Sequence, residues 1–266
     1  MLKRYISKHE ENKLSHEGDV VYARKFYYSK KPNNLIFLLK KRFTWMNKYI
    51  NKEDKVLEVG CGSGISRDFI RKDCNLLFTD FAEHPWVEKK VDALDTKFKN
   101  NSFDAVYCSN MIHHVPFPKK FFIEMHRILK PEGFLLIQEI NCSFMMKLLL
   151  ILNKHEGFDF EINPYSLKKP ATNEDDLWSA NCAIPNLLFD NVKKFKKEIP
   201  NFEIIEQTFS EFLIFPLSGG VIAKKKTINL PNGLLKIVDL IDRMLIFISP
   251  KIFALQRRIV LKKAKY

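Results

Sequence analysis

The chain has 266 residues, 46% of them hydrophobic, enough for one large globular unit with a full core. Its five cysteines, at 61, 74, 108, 142 and 182, are odd in number and lack CxxC spacing, which argues against a disulfide framework and against a zinc site. The net charge of +13 lies at the two ends, +7 over residues 1–54 and +6 over 201–266, which suits an anionic surface or simply reflects a composition of 35 Lys to 9 Arg.

The opening MLKRYISKHEENK is polar from its third residue, so no secretory leader is expected and a reducing cytoplasm is. In NNLIFLLKKRFTWMNKYI the apolar positions Leu35, Leu38, Leu39, Phe43, Met46 and Ile50 recur in steps of three and four. That spacing predicts a helix with one buried stripe, packed beside the core rather than inside it. From Lys55 the texture changes. KVLEVG reads as a strand, ISRDFIRK as a helix, NLLFTD and FDAVYCSN as strands, KKFFIEMHRILK as a helix and GFLLIQEI as a strand behind the turn PEG. Strands alternating with helices predict a parallel sheet with helices on both faces. The link from Asp80 to Asp92 is too short for a long helix. After Ile140 an insertion of about sixty residues is expected, then strands at NFEIIEQTFS and RRIVLKK around a helix broken near Pro250. The predicted organisation is an N-terminal helical extension (1–54), a cofactor-binding core (55–140), a substrate-side insertion (141–200) and a C-terminal completion of the sheet (201–266).

The stretch VLEVGCGSGIS places Gly60, Gly62 and Gly64 directly behind a strand. Such a turn brings backbone N–H groups close to a ligand, because glycine has no Cβ in the way. Ile65 stands where a dinucleotide fingerprint needs its third glycine, which weakens a dehydrogenase reading, and no Lys follows for a phosphate loop. Asp80 ends the second strand, where a carboxylate can accept from both hydroxyls of a ribose. Asp92 follows a third short run, and Ser109 and Asn110 end the fourth strand. In a doubly wound sheet these residues share one crevice at the carboxyl ends of the strands.

Over 55–140 the chain resembles the class I S-adenosylmethionine-dependent methyltransferases: VLEVGCGSG is similar to their first motif, LLFTD to their second, VDALD to their third, and NNSFDAVYCSNMIHHVPFPKKFFIEMHRILKPEGFLLI to the run through their fourth and fifth strands. The resemblance implies a Rossmann-like α/β fold with a seven-stranded sheet, S-adenosylmethionine as donor and S-adenosylhomocysteine as product. It also implies roles. Glu58 would organise the glycine turn and the cationic methionine end of the donor, Gly60, Gly62 and Gly64 would admit its backbone-bound part, and Asp80 would take the ribose. Asp92 and Ala93 would meet the adenine, with Trp86 either covering its face or filling the core. Ser109 and Asn110 would line the floor beneath the methyl group.

Transfer to a hydroxyl requires a group that removes a proton. The candidates are His155, in the insertion beside Glu156, then His114 and His113 behind the fourth strand; no metal site is expected. The segments from HEGFDF to FPLSGGV are similar to methyltransferases of bacterial surface-polysaccharide pathways, which implies O-methylation of a glycan, nucleotide-sugar or lipid-linked sugar, with Asn181 and Asn186 as polar contacts. The apolar runs MMKLLLIL and MLIFI with basic flanks suit peripheral contact with an anionic membrane at its inner face, or buried helix packing. Alternatives are an RNA or other small-molecule methyltransferase, a non-catalytic S-adenosylmethionine-binding protein, or an NAD-dependent reductase. Nucleic acid is not the expected partner, because no RNA-binding module is recognisable and SNMI stands where an amide-nitrogen methyltransferase has NPPY.

Overall fold

The computed structural model describes residues 2–6, 9–154, 156–221 and 226–265, with 9–19 as backbone only. In chain order these form β1 (Arg4–Tyr5), α1 (His9–Lys30), α2 (Asn33–Phe43), β2 (Lys55–Val59), β3 (Asn75–Asp80), β4 (Lys89–Lys90), β5 (Phe103–Ser109), α3 (Pro118–Ile128) and β6 (Leu129–Ile140). There follow α4 (Phe144–Asn153), β7 (Phe158–Asp159), α5 (Ile184–Phe189), α6 (Val192–Glu198), β8 (Phe202–Ser210), α7 (Ile214–Leu217), α8 (Asn232–Ile248), α9 (Pro250–Phe253) and β9 (Gln256–Lys263).

Seven strands make one sheet in the order β4-β3-β2-β5-β6-β9-β8. The pairs β3–β4, β2–β3, β2–β5 and β5–β6 are parallel, and β9 lies antiparallel to both β6 and β8. This is the α/β sheet expected from the sequence, with its last two strands where NFEIIEQTFS and RRIVLKK predict them.

The strands are apolar on both sides because helices cover both faces. Leu57, Val59, Val106, Cys108, Leu135 and Ile137 pack on one side with Phe121, Phe122, Met125 and Ile128 of α3 and with Leu188, Phe189 and Phe195 of α5 and α6. On the other, Val56, Ala105, Tyr107, Leu136 and Val260 meet Leu35, Leu38, Leu39 and Phe43 of α2. The predicted stripe is buried as expected, but it forms a core layer rather than standing beside one. Alternation along the strands fixes a further point. Glu58 shares the α2 side with Val56, whereas Glu139 shares the α3 side with Leu135 and Ile137.

Two local expectations fail. ISRDFIRK is a 3-10 turn at Ile65–Asp68 and no longer helix. Asn47 captures the backbone there, donating to the Phe69 carbonyl at 2.9 Å and accepting from the Arg71 amide at 3.0 Å, which diverts the groups a continuing helix would need. Residues 141–200 are also not all insertion. Helices α5 and α6 lie under the sheet as the crossover into β8, because Leu188, Phe189 and Phe195 are buried against α3.

A buried pair joins α2 to the end of β8. Arg42 donates to Glu211 through Nε (2.8 Å) and Nη2 (2.7 Å), with both side chains almost fully enclosed. Removing one partner strands the other charge, so Glu211→Ala is expected to lower the unfolding free energy by about 3–5 kcal/mol. Urea denaturation checks this, and a midpoint equal to that of the wild type contradicts it.

Candidate active site

The carboxyl ends of β2, β3, β5 and β6 open into a cavity of about 1360 Å³, lined by Glu58, Gly60, Gly62, Asp80, Asp92, Ala93, Ser109, Asn110, His113, His114 and Glu156 among others. Gly64 is not on that wall. It holds a positive φ of 63° on the far side of the loop, where a Cβ would stand 2.7 Å from Trp86. Gly62, also left-handed at φ 50°, has nothing within 4 Å of a Cβ position, so its approach is open to a ligand.

Trp86 fills neither of the places expected of it. Its indole N–H donates to the Gly62 carbonyl at 2.7 Å, and the Arg24 guanidinium lies 4.6 Å from its ring while donating to the Ser63 carbonyl at 2.7 Å. The glycine loop is therefore clamped from outside by α1 and by the β3–β4 link. Arg24 was not singled out by the sequence, although YARKFYY offered the aromatic and basic signal.

Asp80 closes the loop from within. Its Oδ2 accepts from the Gly62 amide at 2.8 Å and its Oδ1 from the Ala82 amide at 2.9 Å, one bond on each oxygen, which leaves acceptor capacity on both. Asp92 accepts from the Leu94 amide at 2.8 Å, so it shapes its own turn while lining the cavity beside Ala93. Asn110 takes a left-handed φ of 51°, and its amide oxygen accepts from Gln256 of β9 at 2.9 Å, which fixes it next to Ser109.

Glu58 is buried. Its Oε2 accepts from the Ser66 hydroxyl at 2.6 Å and the Tyr107 hydroxyl at 2.9 Å, while Oε1 accepts from none of the described residues. Burial pushes its pKa up to about 8, against the pull of those two hydroxyls. A carboxyl in that state is largely protonated at neutral pH and ionises when a cation arrives. Binding of S-adenosylmethionine should therefore release a proton, and its affinity should rise with pH up to about 8 and level off above. Calorimetry in buffers of different ionisation enthalpy reads that proton. Glu58→Gln should abolish its release, and unchanged release in that variant would refute the assignment.

The second cluster lies behind β5. The His113 ring is buried, its Nδ1 2.7 Å from Glu139 Oε2, and Glu139 also accepts from the amides of Ile112 (2.7 Å) and Ile140 (2.9 Å). Burial alone lowers the pKa of His113, but the facing carboxylate outweighs it and raises it, and the same contact holds Glu139 low. His113 is thus a held group, not the mobile base the sequence offered. Glu139 went unremarked, though an acid inside the apolar run GFLLIQEI is the same signal as Glu58 in VLEVG. His114 differs. Burial and the neighbouring His113 bring its pKa down to about 4. Its Nδ1 is 3.1 Å from the Ser179 carbonyl, which can only accept, so Nδ1 carries the proton and Nε2 the lone pair. Glu156 completes the group. Its Oε2 stands 3.6 Å from His113 Nε2 and its Oε1 3.8 Å from His114 Nε2. His155, the first candidate base, lies outside the described residues.

Asn181 and Asn186 are structural rather than substrate contacts. Asn181 bonds the backbone of Asp159 and Ala183, and Asn186 ties Cys142, Asn141 and Asp190 together.

The fold and the arrangement of the cavity are those that the resemblance to the class I S-adenosylmethionine-dependent methyltransferases implies. Residues 57–137 match the family model described as "Methyltransferase domain". A curated relative, an uncharacterized protein of Methanocaldococcus jannaschii, is 34% identical over 46% of this chain and 60% of its own length. A ubiquinone biosynthesis O-methyltransferase of Dechloromonas aromatica is 30% identical over 38% of this chain and 50% of its own. The matches thus span about half of those relatives. In fold, the chain superposes on a SAM dependent methyltransferase from Archaeoglobus fulgidus with a TM-score of 0.53 at 16% identity, covering 90% of this chain and 99% of that one. The class uses S-adenosylmethionine as donor and leaves S-adenosylhomocysteine. The residues present fit it: an open approach at Gly62, spare acceptor capacity on Asp80 and an unshared Oε1 on Glu58.

Proposed function

We propose that the protein transfers the methyl group of S-adenosylmethionine to a hydroxyl of a glycan, presented on a lipid carrier at an anionic membrane surface. The observation that carries the glycan reading is the cavity wall beyond the cofactor loop, to which Asn173, Glu174, Asp175, Asp176 and Trp178 contribute. Carboxylates and amides accept and donate to sugar hydroxyls, and an aromatic face suits the apolar side of a sugar ring. Three acids in one wall repel phosphate, which speaks against an RNA acceptor despite the net charge.

S-adenosylmethionine, when bound, supplies a methyl group already activated by its sulfonium. The chain supplies placement and proton handling. The acceptor oxygen gives up its proton and forms the new C–O bond as the C–S bond breaks, with that electron pair staying on sulfur. Asp80 and the loop amides hold the donor end, Ser109 and Asn110 form the floor, and the group of His114, Glu156 and His113 meets the hydroxyl and its proton.

The lipid-carrier reading is supported by α8. Leu234, Ile237, Leu240, Ile241, Met244, Phe247 and Ile248 are exposed along it, with Phe247 90% accessible. Its two acids are largely enclosed: Asp239 pairs with Lys41 and, at 3.5 Å, with Arg243 of the same helix, and Asp242 accepts from the amides of Phe212, Leu213 and Ile214. Every exposed charge on the helix is therefore basic, Lys236 and Arg243, a pattern complementary to anionic lipid. No helix among the described residues is long and apolar enough to cross a membrane.

The test is transfer of labelled methyl from S-adenosylmethionine into glycolipid and polysaccharide fractions, with mass spectrometry of the glycans. A gain of one methylene mass on a sugar is expected. Label entering RNA, or no label transferred from a donor that binds, contradicts the reading.

A further inference from the structure

His113, His114 and Glu156 come from two segments of the chain, one behind β5 and one after α4, and face the same cavity. Their ligating atoms all lie within 4.8 Å of one another. Two features set the group apart from an ordinary hydrogen-bonded cluster. The first is spacing. Each Glu156 oxygen faces a different imidazole Nε2, at 3.6 and 3.8 Å, wider than the 2.7 Å of the Glu139–His113 contact in the same site, and Oε2 also accepts from the Cys182 thiol at 3.2 Å. Donors bound to one ion at about 2.0–2.2 Å stand roughly 3–3.5 Å apart, so the two Glu156–imidazole distances need close by only a few tenths of an ångström, while side-chain rotation closes the widest separation in the group, up to 4.8 Å.

The second is what holds the rings. His113 is gripped at Nδ1 by a carboxylate and His114 at Nδ1 by the Ser179 carbonyl, which turns both Nε2 atoms towards Glu156. Outer contacts of this kind, a carboxylate or a backbone carbonyl on the far nitrogen, orient metal-bound histidines and fix their tautomer.

We infer that His113 Nε2, His114 Nε2 and the Glu156 carboxylate form a binding site for a divalent transition-metal ion inside the acceptor cavity. Two imidazoles and one carboxylate suit zinc, iron, manganese or cobalt rather than magnesium or calcium, which take oxygen donors. Three protein ligands leave coordination positions open on the cavity side, and an ion there would lower the pKa of an approaching hydroxyl, whose proton then passes to solvent. This rests on the methyltransferase reading and gives the group named there its means of activating the acceptor.

The test uses the untagged full chain, stripped with a chelator and titrated with cobalt(II), following its visible absorption, with S-adenosylhomocysteine binding measured in parallel by calorimetry. One cobalt per chain is expected, with affinity at least about tenfold weaker in His114→Ala and in Glu156→Gln, while both variants still bind S-adenosylhomocysteine. Both replaced side chains are only partly buried, so retained S-adenosylhomocysteine binding doubles as the folding control. No cobalt uptake, or uptake that both variants match, overturns the metal site whatever the nucleoside does. A wild-type chain that fails to bind S-adenosylhomocysteine overturns the methyltransferase reading and this role of the ion with it.

Discussion

Asp80→Ala is expected to weaken S-adenosylhomocysteine binding by at least about 100-fold while the protein stays folded. An ionised carboxylate accepting from a hydroxyl is worth about 1.5–3 kcal/mol, and a ribose offers two hydroxyls, so roughly 3 kcal/mol is the lower bound, or two factors of ten at about 1.4 kcal/mol each. The loss is larger than the ribose contacts alone. Asp80 also accepts from the Gly62 amide at 2.8 Å, so its removal frees the loop whose open side the ligand approaches. Asp80→Asn keeps the shape and one acceptor oxygen and should bind between the two. Calorimetry on all three proteins decides this. An alanine variant that binds as the wild type does would mean that the ligand does not use the end of β3.

Phe247→Asp combined with Met244→Asp is expected to abolish sedimentation with anionic vesicles. Phe247 is 90% and Met244 59% exposed, and burying a large apolar side chain in a nonpolar medium contributes about 1.5–3 kcal/mol. Losing two such contacts costs at least about 3 kcal/mol before the new charges repel the lipid, which corresponds to roughly 100-fold in partitioning. Neutral vesicles should bind the wild type more weakly than anionic ones, because the exposed charges of α8 are Lys236 and Arg243. Binding of S-adenosylhomocysteine should be unchanged, since neither residue lines the cavity. Light scattering supplies the contrary outcome. If the wild type is a dimer that the double variant splits, and neither binds vesicles, the apolar face of α8 belongs to a second copy of the chain.

The glycine turn and the carboxylate that ends β3 were legible because their information is local. A strand of β-type residues, three glycines at alternate positions and an acid closing the next strand each declare a backbone conformation or a side-chain capability within a few residues. Alternating strands and helices predicted a parallel sheet and the family resemblance its seven strands, while their order came from the structure. The insertion and the contacts of the N-terminal helices were not legible in the same way. Trp86 reads equally well as a core plug or an adenine cover, and the structure uses it for neither. What fixes it is a hydrogen bond to Gly62 and a cation from α1, groups 24 and 62 positions away in the chain. The acceptor side shows the same limit. The pairing of His113 with Glu139, 26 positions on, decides that His113 is held rather than free.

Sequence by itself therefore determined the strands of the 55–140 core, the glycine turn and the residue types at the carboxyl ends of those strands, since each depends on backbone sterics and hydrophobic period over short windows. Only the tertiary structure decided which buried acid faces which histidine, that Glu156 is brought to the two rings, and that both acids of α8 are largely enclosed. Those outcomes depend on how distant segments pack against one another. Periodicity tells a residue to be buried but does not name its neighbour.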